Sequence, residues 1–400
     1  MTSNVENPPL ARLMPLGLQV AVLAALSASG TLATNILLPS LPSIAVAMGV
    51  SSAEVTLAIT IFLAMFALGQ LVVGPLSDRL GRRIPVMIGF AVFFAGSIWC
   101  ALATDLAALL IGRLVQAAGA CATSVLSRAI ARDLFEGEKL ARVLTFVMIA
   151  MAAAPGFSPL AGGALDHFFG WRSEFVFVAI FAAIAAFAYF VVFGETHLAP
   201  RAGLDGSAIA RNYWSLSTDR RFVIPAATVS LILGALFAMF SALPRVLIEG
   251  LDFTPVQLGL FFAGTVMIVF SAGIIATRIV PHLGLDRSIC LGLALACVGG
   301  GMVLLFAVFD PRFLPFLGGA CVFLLGMGMV NPLCSAQSLS PFGDRAGAAS
   351  ALLGFWQMLA AALGVLLAAV IAKDAMTGLG LVLVLAAFLA AAIYQVRRKS

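Results

Sequence analysis

Long uncharged apolar runs alternate with short charged segments along the whole chain. Cutting the sequence at its charges leaves twelve such runs, each near or above the roughly 20 residues that cross a bilayer as an α-helix. The first six lie within residues 13–53, 55–77, 84–104, 106–127, 143–165 and 175–194. The second six lie within residues 222–244, 253–277, 288–309, 313–343, 346–372 and 375–396. This pattern predicts an all-α membrane protein with twelve transmembrane helices.

The amino-acid composition supports the same fold class. Hydrophobic residues make up 62% of the chain and charged residues 10%, whereas a soluble domain carries about 25% charged residues. The composition therefore excludes an ordinary soluble domain and favours a chain that lies mostly in lipid.

Lysines and arginines are distributed unevenly between alternate loops. One side of the predicted membrane receives 18 of them and the other only four, and Arg113, inside the fourth span, completes the 23. Cytoplasmic loops carry the excess of Lys and Arg, so we expect both termini to be cytoplasmic. This orientation explains the net charge of +5 without a nucleic-acid partner.

Residues 195–221 form the only long polar break between the predicted spans. The break predicts an N-terminal six-helix bundle, residues 1–194, and a C-terminal six-helix bundle, residues 222–400, joined by a cytoplasmic linker. Tyr213 and Trp214 in this linker suit a short stretch at the level of the lipid headgroups. A plain disordered linker is the alternative.

Residues 74–83, GPLSDRLGRR, place one acid and three arginines between two apolar spans. Ordinary positive-inside anchoring would account for the arginines, but the ordered spacing indicates more. The pattern resembles the signature between helices two and three of the major facilitator superfamily. The matching residues are Gly74, Asp78, Arg79, Gly81, Arg82 and Arg83. The resemblance implies a cytoplasmic gating loop in which Asp78 fastens helices across the two bundles and releases them during transport.

Further motifs narrow the resemblance to the Bcr/CflA branch of twelve-helix drug:proton antiporters. They are TNILLPSLPSIA at 34–45, Arg113 and Gln116 with Gly119 in helix four, APGFSPLAGG at 154–163, and Trp171 with Arg172. The resemblance covers essentially the whole chain. It implies a multi-pass protein of the bacterial inner membrane that exposes its substrate site alternately to each side.

The fifth span resembles the family's antiporter motif, in which prolines bend a helix and glycines let its neighbour approach closely. The motif residues are Pro155, Gly156, Pro159, Gly162 and Gly163. Helix packing alone is the other interpretation, because glycine and proline are common in membrane helices.

Arg113 is the one charge well inside a predicted span, about 10 Å from the start of its helix at about 1.5 Å per residue. Inserting it costs about 2.5–3.5 kcal/mol, so its side chain should face the protein interior. In the resembled family this arginine lies beside the cavity and pairs with a helix-one acid, whose position Asn35 occupies here. We therefore expect Arg113 to use neutral acceptors, with Asn35, Gln116 and backbone carbonyls as candidates, or an anionic substrate.

An amide at position 35 leaves the route of proton coupling open, because it does not exchange a proton near neutral pH. None of the eighteen acids falls in the middle of a span, and those near one, including Glu174, lie outside it or at its outer end. Three explanations remain. Coupling has moved to an end-of-helix acid such as Glu54, Asp105 or Asp133, coupling is lost, or the asparagine is an engineered substitution.

Substrate contacts are predicted where polar or aromatic side chains fall on cavity-facing positions. The candidates are Asn35, Arg113, Phe237, Phe240, Asn331 and Gln357. Asparagine and glutamine are favoured because polar residues within spans tend to be functional. Most of the 31 phenylalanines face lipid or the core.

These observations favour a secondary active exporter of lipophilic, neutral or weakly anionic drug-like molecules by proton antiport, with alternating access. The alternatives are a proton-uncoupled metabolite carrier or importer, favoured by Asn35, and a phenicol-specific exporter, to which residues 242–250 are similar. A non-transporting sensor or scaffold is a third, since fold does not fix function.

The residues point away from an enzyme and from a cofactor. We find no paired carboxylates, no nucleophile with a base, no phosphate-cradling loop and no metal ligands at metal-binding spacing in the sequence. The expected partners are a small lipophilic substrate and the lipid bilayer, with the proton as coupling ion. We expect the protein to be a monomer.

Overall fold

The computed structural model describes residues 14–196, 206–309, 312–371 and 374–399. Twelve helical stretches in these ranges are long and apolar enough to cross a membrane, which confirms the predicted fold class. The first part of the chain forms α1 (Leu16–Asn35), α2 (Leu41–Met48), α3 (Ser52–Val55), α4 (Leu57–Leu80), α5 (Arg83–Ala101), α6 (Leu106–Leu134), α7 (Gly137–Phe169) and α8 (Arg172–Val192). The second part forms α9 (Gly206–Thr218), α10 (Arg220–Leu243), α11 (Pro255–Leu283), α12 (Leu285–Phe309), α13 (Phe313–Leu339), α14 (Ala346–Val370) and α15 (Ala375–Lys399).

The first span is broken rather than continuous. Helix α1 ends at Asn35, a 3₁₀ turn covers Leu38–Ser40, and α2 begins at Leu41. Pro39 and Pro42 cause this break, because proline has no amide hydrogen to donate and its ring clashes with the preceding turn. The first span, predicted within residues 13–53, therefore consists of two helices joined by this turn.

The polar segments are shorter as loops than the sequence suggests. Helix α4 continues through Asp78 to Leu80, so the turn of the signature motif is reduced to Gly81 and Arg82. Gly81 has a φ of 85°, a conformation that glycine adopts without steric cost. Charged residues that are good helix formers extend the spans beyond the apolar core, and the turn begins where glycine allows the chain to reverse.

Two pairs of helices join the two parts of the chain. Helix α4 packs along α14, and α7 packs along α11. The linker contributes α9, whose Tyr213 hydroxyl donates to the Leu71 carbonyl at 3.0 Å, while Trp214 is 75% exposed. Residues 206–218 are helical rather than plain disordered linker, and their location at the level of the lipid headgroups stays a prediction. The boundaries at residues 194 and 222 stay a prediction, and residues 197–205 lie outside the described ranges.

The two parts of the chain repeat one glycine spacing. Gly81, Gly89 and Gly96 are separated by eight and seven residues, and so are Gly284, Gly292 and Gly299. Gly284 has a φ of 78°, close to the 85° of Gly81. The later glycines of each set face the following helix, α6 or α13, at close range. The same glycine spacing therefore occurs after α4 and after α11.

The same register continues on the facing helices. A Cβ atom built on Gly112 of α6 would meet Cys100, and one built on Gly319 of α13 would meet Val303. Gln116 faces Gly96 in the first part as Phe323 faces Gly299 in the second. The pairs α5 with α6 and α12 with α13 are therefore equivalent units of the repeat.

Gly162 provides the closest approach between the antiporter motif and the broken first span. A Cβ atom at this position would lie 1.9 Å from the carbonyl oxygen of Ile36, directly after the end of α1. No side chain fits there, so the break and α7 depend on each other for their packing.

We expect Gly162→Ala to destabilise the protein by about 1–3 kcal/mol, the range found for overpacked sites. Gly264→Ala is the matched control, because a Cβ on this glycine of α11 meets nothing within 4 Å. Thermal unfolding of both purified variants in detergent measures the difference. Equal unfolding midpoints would show that the contact with Ile36 relaxes without cost.

Candidate transport site

Arg113 lies at the centre of a buried polar cluster between α1, α4 and α6. Its side chain has no exposed surface. Nη1 donates to Gln116 Oε1 at 2.5 Å and to the Ala33 carbonyl at 3.0 Å, and Nε donates to the Ala58 carbonyl at 3.3 Å. The guanidinium carbon lies 4.2 Å from the centre of the Phe62 ring. Neutral oxygens and an aromatic face therefore surround the charge, and of the predicted acceptors Gln116 and backbone carbonyls contact it.

The Ala33 carbonyl explains why a cation is tolerated at this place. Ala33 lies in the last turn of α1, where carbonyl groups have no amide partner within the helix. The carboxyl end of a helix also carries a partial negative charge that favours cations. Arg113 therefore caps the end that the break leaves in the first span.

Asn35 contributes less to this cluster than predicted. Its side chain is 1% exposed, and its amide nitrogen donates back to the Thr31 carbonyl at 2.8 Å. Its Oδ1 atom and Nη2 of Arg113 each lack a hydrogen-bond partner among the described residues. The expectation that the Asn35 side chain accepts from Arg113 is therefore wrong, because its amide is turned toward its own helix.

Gln116 links the arginine to the neighbouring helix α5. Its Nε2 donates to Ser97 Oγ at 2.8 Å, and that hydroxyl donates to the Phe93 carbonyl at 2.7 Å. A glutamine fixed in this way presents its oxygen to Arg113 in one orientation. The pairing of Arg113 and Gln116 was predicted, but Ser97 was not.

Glu174 lies at the outer end of a span, as predicted, but it is also buried. It is the third residue of α8, and its side chain has no exposed surface. Ser40 donates to its Oε1 atom, and Oε2 has no partner among the described residues. Glu174 and Arg113 interact electrostatically. A glutamate two residues after a tryptophan–arginine pair was the only sequence signal available.

The signature motif forms a second charged cluster at the end of α4. Arg82 contacts Asp78 at 2.6 Å and Asp133 of α6 at 2.9 Å, and its backbone amide donates to Glu195 at 2.8 Å. Burial opposes the charged form of Arg82, but its hydrogen bonds to Asp133 and Asp78 outweigh burial and raise its pKa above the ordinary value. This cluster lies within the N-terminal part of the chain.

The other signature residues surround this cluster. The Arg83 guanidinium lies 4.9 Å from the centre of the Phe190 ring, and Arg79 is exposed in the last turn of α4. Gly74 lines the adjoining cavity. The Tyr213 pKa is raised by burial and by the nearby charge of Asp78, so the linker helix α9 lies within electrostatic range of the motif.

A cavity of about 370 Å³ adjoins the signature motif. We call the end of the protein at which this motif lies the signature end. Helices α4, α6, α9 and α14 line it. Its charged lining residues are Asp78, Arg82, Arg128, Arg132 and Asp133. Its volume falls within the range of small-molecule sites, about 300–1,000 Å³.

The six predicted substrate residues do not line this cavity. Asn35, Arg113 and Phe240 are buried, and Phe240 packs edge-to-face on Phe262 with ring centres 5.1 Å apart. The remaining three are half-buried on the C-terminal helices, namely Phe237, Asn331 and Gln357. Their role as substrate contacts stays a prediction.

The opposite end of the protein is closed by contacts between the two parts of the chain. Ser52 Oγ of α3 donates to Glu249 at 2.6 Å, beside the π-helical turn Pro244–Glu249. Apolar residues of the broken first span and of α10 join one buried cluster nearby, including Leu41 and Leu243. The signature end thus holds the cavity of about 370 Å³, whereas the opposite end holds a smaller one of about 140 Å³ between α3, α4 and α14.

Comparison with known proteins agrees with this architecture. A bacterial homologue of the human lysosomal transporter Spinster, in an inward-facing, unoccupied conformation, superimposes with a TM-score of 0.75 at 14% identity, covering 98% of this chain and 97% of its own. This similarity concerns the fold alone.

Relatives in sequence are named for drug resistance. The chain is 29% identical to a bicyclomycin resistance protein homologue of Haemophilus influenzae, over 84% of each chain. It is 29% identical to a chloramphenicol resistance protein of Pseudomonas aeruginosa, over 82% of this chain and 76% of the relative.

A family model identifies the chain directly. The model described as Major Facilitator Superfamily matches residues 23–365, which is most of the length. Together with the twelve spans, this match makes the protein a multi-pass transporter of the bacterial inner membrane and not an enzyme. The chain belongs to the major facilitator superfamily.

Proposed function

We propose that this protein exports lipophilic drug-like small molecules by proton antiport, through alternating access. The observation that carries the proposal is the difference between its two ends. A cavity of about 370 Å³ lies at the signature end, whereas the Ser52–Glu249 contact and an apolar cluster close the opposite end. A transporter that alternates between two sides needs one end closed while the other admits the substrate.

The helix pairs between the two parts of the chain are suited to such a movement. Helices α4 and α14 meet beside the cavity, and α7 and α11 meet beside the break in the first span. Small residues let these helices approach closely, as where Gly163 faces the Pro255 carbonyl. We propose that the antiporter motif serves as this contact surface during the conformational change.

The substrate class follows from charge and from the relatives. Arg113 keeps a positive charge inside the helix bundle, and three arginines face the cavity against two aspartates. Such a path disfavours cations and favours neutral or weakly anionic molecules. The names of the relatives, resistance proteins for bicyclomycin and chloramphenicol, support drug-like cargo of this kind.

A proton-uncoupled carrier is the second candidate, and Asn35 is the observation that favours it. Its amide, 1% exposed, occupies the position of the acid that the resemblance implies. A phenicol-specific exporter would differ from the main proposal only in the breadth of its substrates.

We expect inverted vesicles containing this protein to accumulate chloramphenicol when an inside-acid gradient is imposed, because export is inward in this orientation. Protonophore should abolish the accumulation, and vesicles without the protein give the baseline. If chloramphenicol instead equilibrates across the membrane at a rate that depends on neither the gradient nor the protonophore, the protein is the uncoupled carrier. A panel of unrelated lipophilic drugs distinguishes a multidrug exporter from a phenicol-specific one.

Asp78→Asn should reduce the rate of transport while leaving the amount of folded protein normal. The Asp78 side chain is 53% exposed, so the loss of its ion pair should cost less than about 1 kcal/mol of stability. Its proposed role is to hold and release the signature end during turnover. Initial rates of chloramphenicol uptake, normalised to purified protein, measure the effect, and a wild-type rate would exclude the gating role.

Asp133→Asn should instead lower stability, by about 1–3 kcal/mol, because it removes a hydrogen bond to a charged and largely buried group. The side chains of Asp133 and Arg82 are only 18% and 8% exposed. Glu138→Gln is the matched control, since the side chains of its pair with Arg142 are 89% and 67% exposed and such pairs contribute little. Unfolding midpoints that fall equally in both variants would contradict this ranking.

A further inference from the structure

One acid lies fully buried where the first span is broken. Among the aspartates and glutamates whose burial the structure describes, only Glu174 is buried. It is held by the Ser40 hydroxyl, which donates to Oε1 from the 3₁₀ turn after the break. An isolated buried carboxylate is costly in its charged form. An ionisable residue that is buried within a membrane protein therefore usually has a function in transport.

The charged groups that act on Glu174 come from two neighbouring helices. Arg113 of α6 attracts the carboxylate, and Asp166 of α7 repels it. Asp166 itself accepts a hydrogen bond of 2.6 Å from Ser43 of α2. On its own helix, Arg172 is turned toward the Ala103 carbonyl at 2.9 Å. From α5, the Cys100 thiol interacts with Arg113.

Two polar atoms beside the break have capacity for a further hydrogen bond. Glu174 Oε2 and Nη2 of Arg113 are buried and have no hydrogen-bond partner in the part of the chain that the structure describes. The carboxylate is therefore bound on one oxygen only. A carboxyl proton on Oε2 would displace no existing hydrogen bond.

We propose that Glu174 is the proton-carrying group of this transporter, and that it does the work of the helix-one acid whose position Asn35 holds. The inference rests on the proposed proton antiport. When the opposite end opens, Oε2 takes a proton from that medium and the carboxylate becomes a neutral carboxyl group. The same proton leaves Oε2 when the site faces the other medium. The O–H bond is the only bond formed and broken.

The contacts suggest how protonation moves the helices. Ser40 ties the carboxylate to the segment after the break, and Arg113 is bonded to the Ala33 carbonyl before it. Neutralising Glu174 weakens its attraction to Arg113 and its hydrogen bond from Ser40 together. Both pieces of the first span would therefore respond to one proton.

Two assays on the purified full-length protein in liposomes test this role. The first measures accumulation of labelled chloramphenicol driven by a pH gradient, and the second measures its exchange at equal pH on both sides. For Glu174→Gln we expect accumulation to fall to the level of empty liposomes while exchange continues near the wild-type rate. Glu138→Gln, an exposed carboxylate at the signature end, should behave as wild type in both.

The outcomes separate the two proposals. Gradient-driven accumulation that persists in Glu174→Gln would overturn the inference and leave the antiport intact. A wild type without gradient-driven accumulation would overturn the antiport itself, and the assignment of Glu174 with it.

Infrared difference spectra between acidic and alkaline pH provide a second measurement that does not need transport. Each carboxyl group that becomes protonated contributes a C=O stretching band, and we expect the contribution of a buried carboxyl group to be present in the wild type and missing from Glu174→Gln. Where that variant does not fold, Ser40→Ala replaces it, because it keeps the carboxyl group but removes its hydrogen-bond donor. The band should then shift in frequency, and an unshifted band would overturn the assignment.

Discussion

The end of α1 within the membrane is the constraint on which the site depends. Carbonyl groups at a helix end need partners, and hydrocarbon supplies none. Arg113 satisfies the Ala33 carbonyl from one side, while the backbone just after the helix lies against Gly162 on the other. Arg113 and Gly162 of the antiporter motif thus both contact the backbone at the break in the first span.

This constraint also explains how an asparagine can occupy position 35. An arginine paired with a buried acid depends on that acid, because removing one partner leaves an uncompensated charge. Here Arg113 has two carbonyls, Gln116 and the face of Phe62. These neutral groups contact the cation directly and Glu174 attracts it electrostatically, so position 35 does not need a negative charge to keep the fold.

The sequence predicted the spans and the identity of the polar cluster because both depend on local composition. Apolar runs predicted twelve helices, and one arginine within a span had to find neutral acceptors. The orientation of Asn35 and the burial of Glu174 could not be predicted, since each depends on which neighbour lies across from it. Distance along α8 placed Glu174 at the water interface, but the folded 3₁₀ turn with Ser40 covers that end. The burial of Glu174 therefore depends on contacts with residues that are distant in the sequence.

The glycine register shared by the two parts of the chain gives Arg113 a counterpart. Since Gly112 and Gly319 hold equivalent positions, the residue that corresponds to Arg113 is Ala320, which is buried among apolar side chains. Likewise Phe323 stands where the first part has Gln116. The α5–α6 pair thus carries a buried charged side chain at this position, whereas the equivalent position of the α12–α13 pair is apolar. The two parts of the fold therefore share one packing register of the backbone but not the same buried chemistry, so equivalent positions in the two parts place different demands on the side chain.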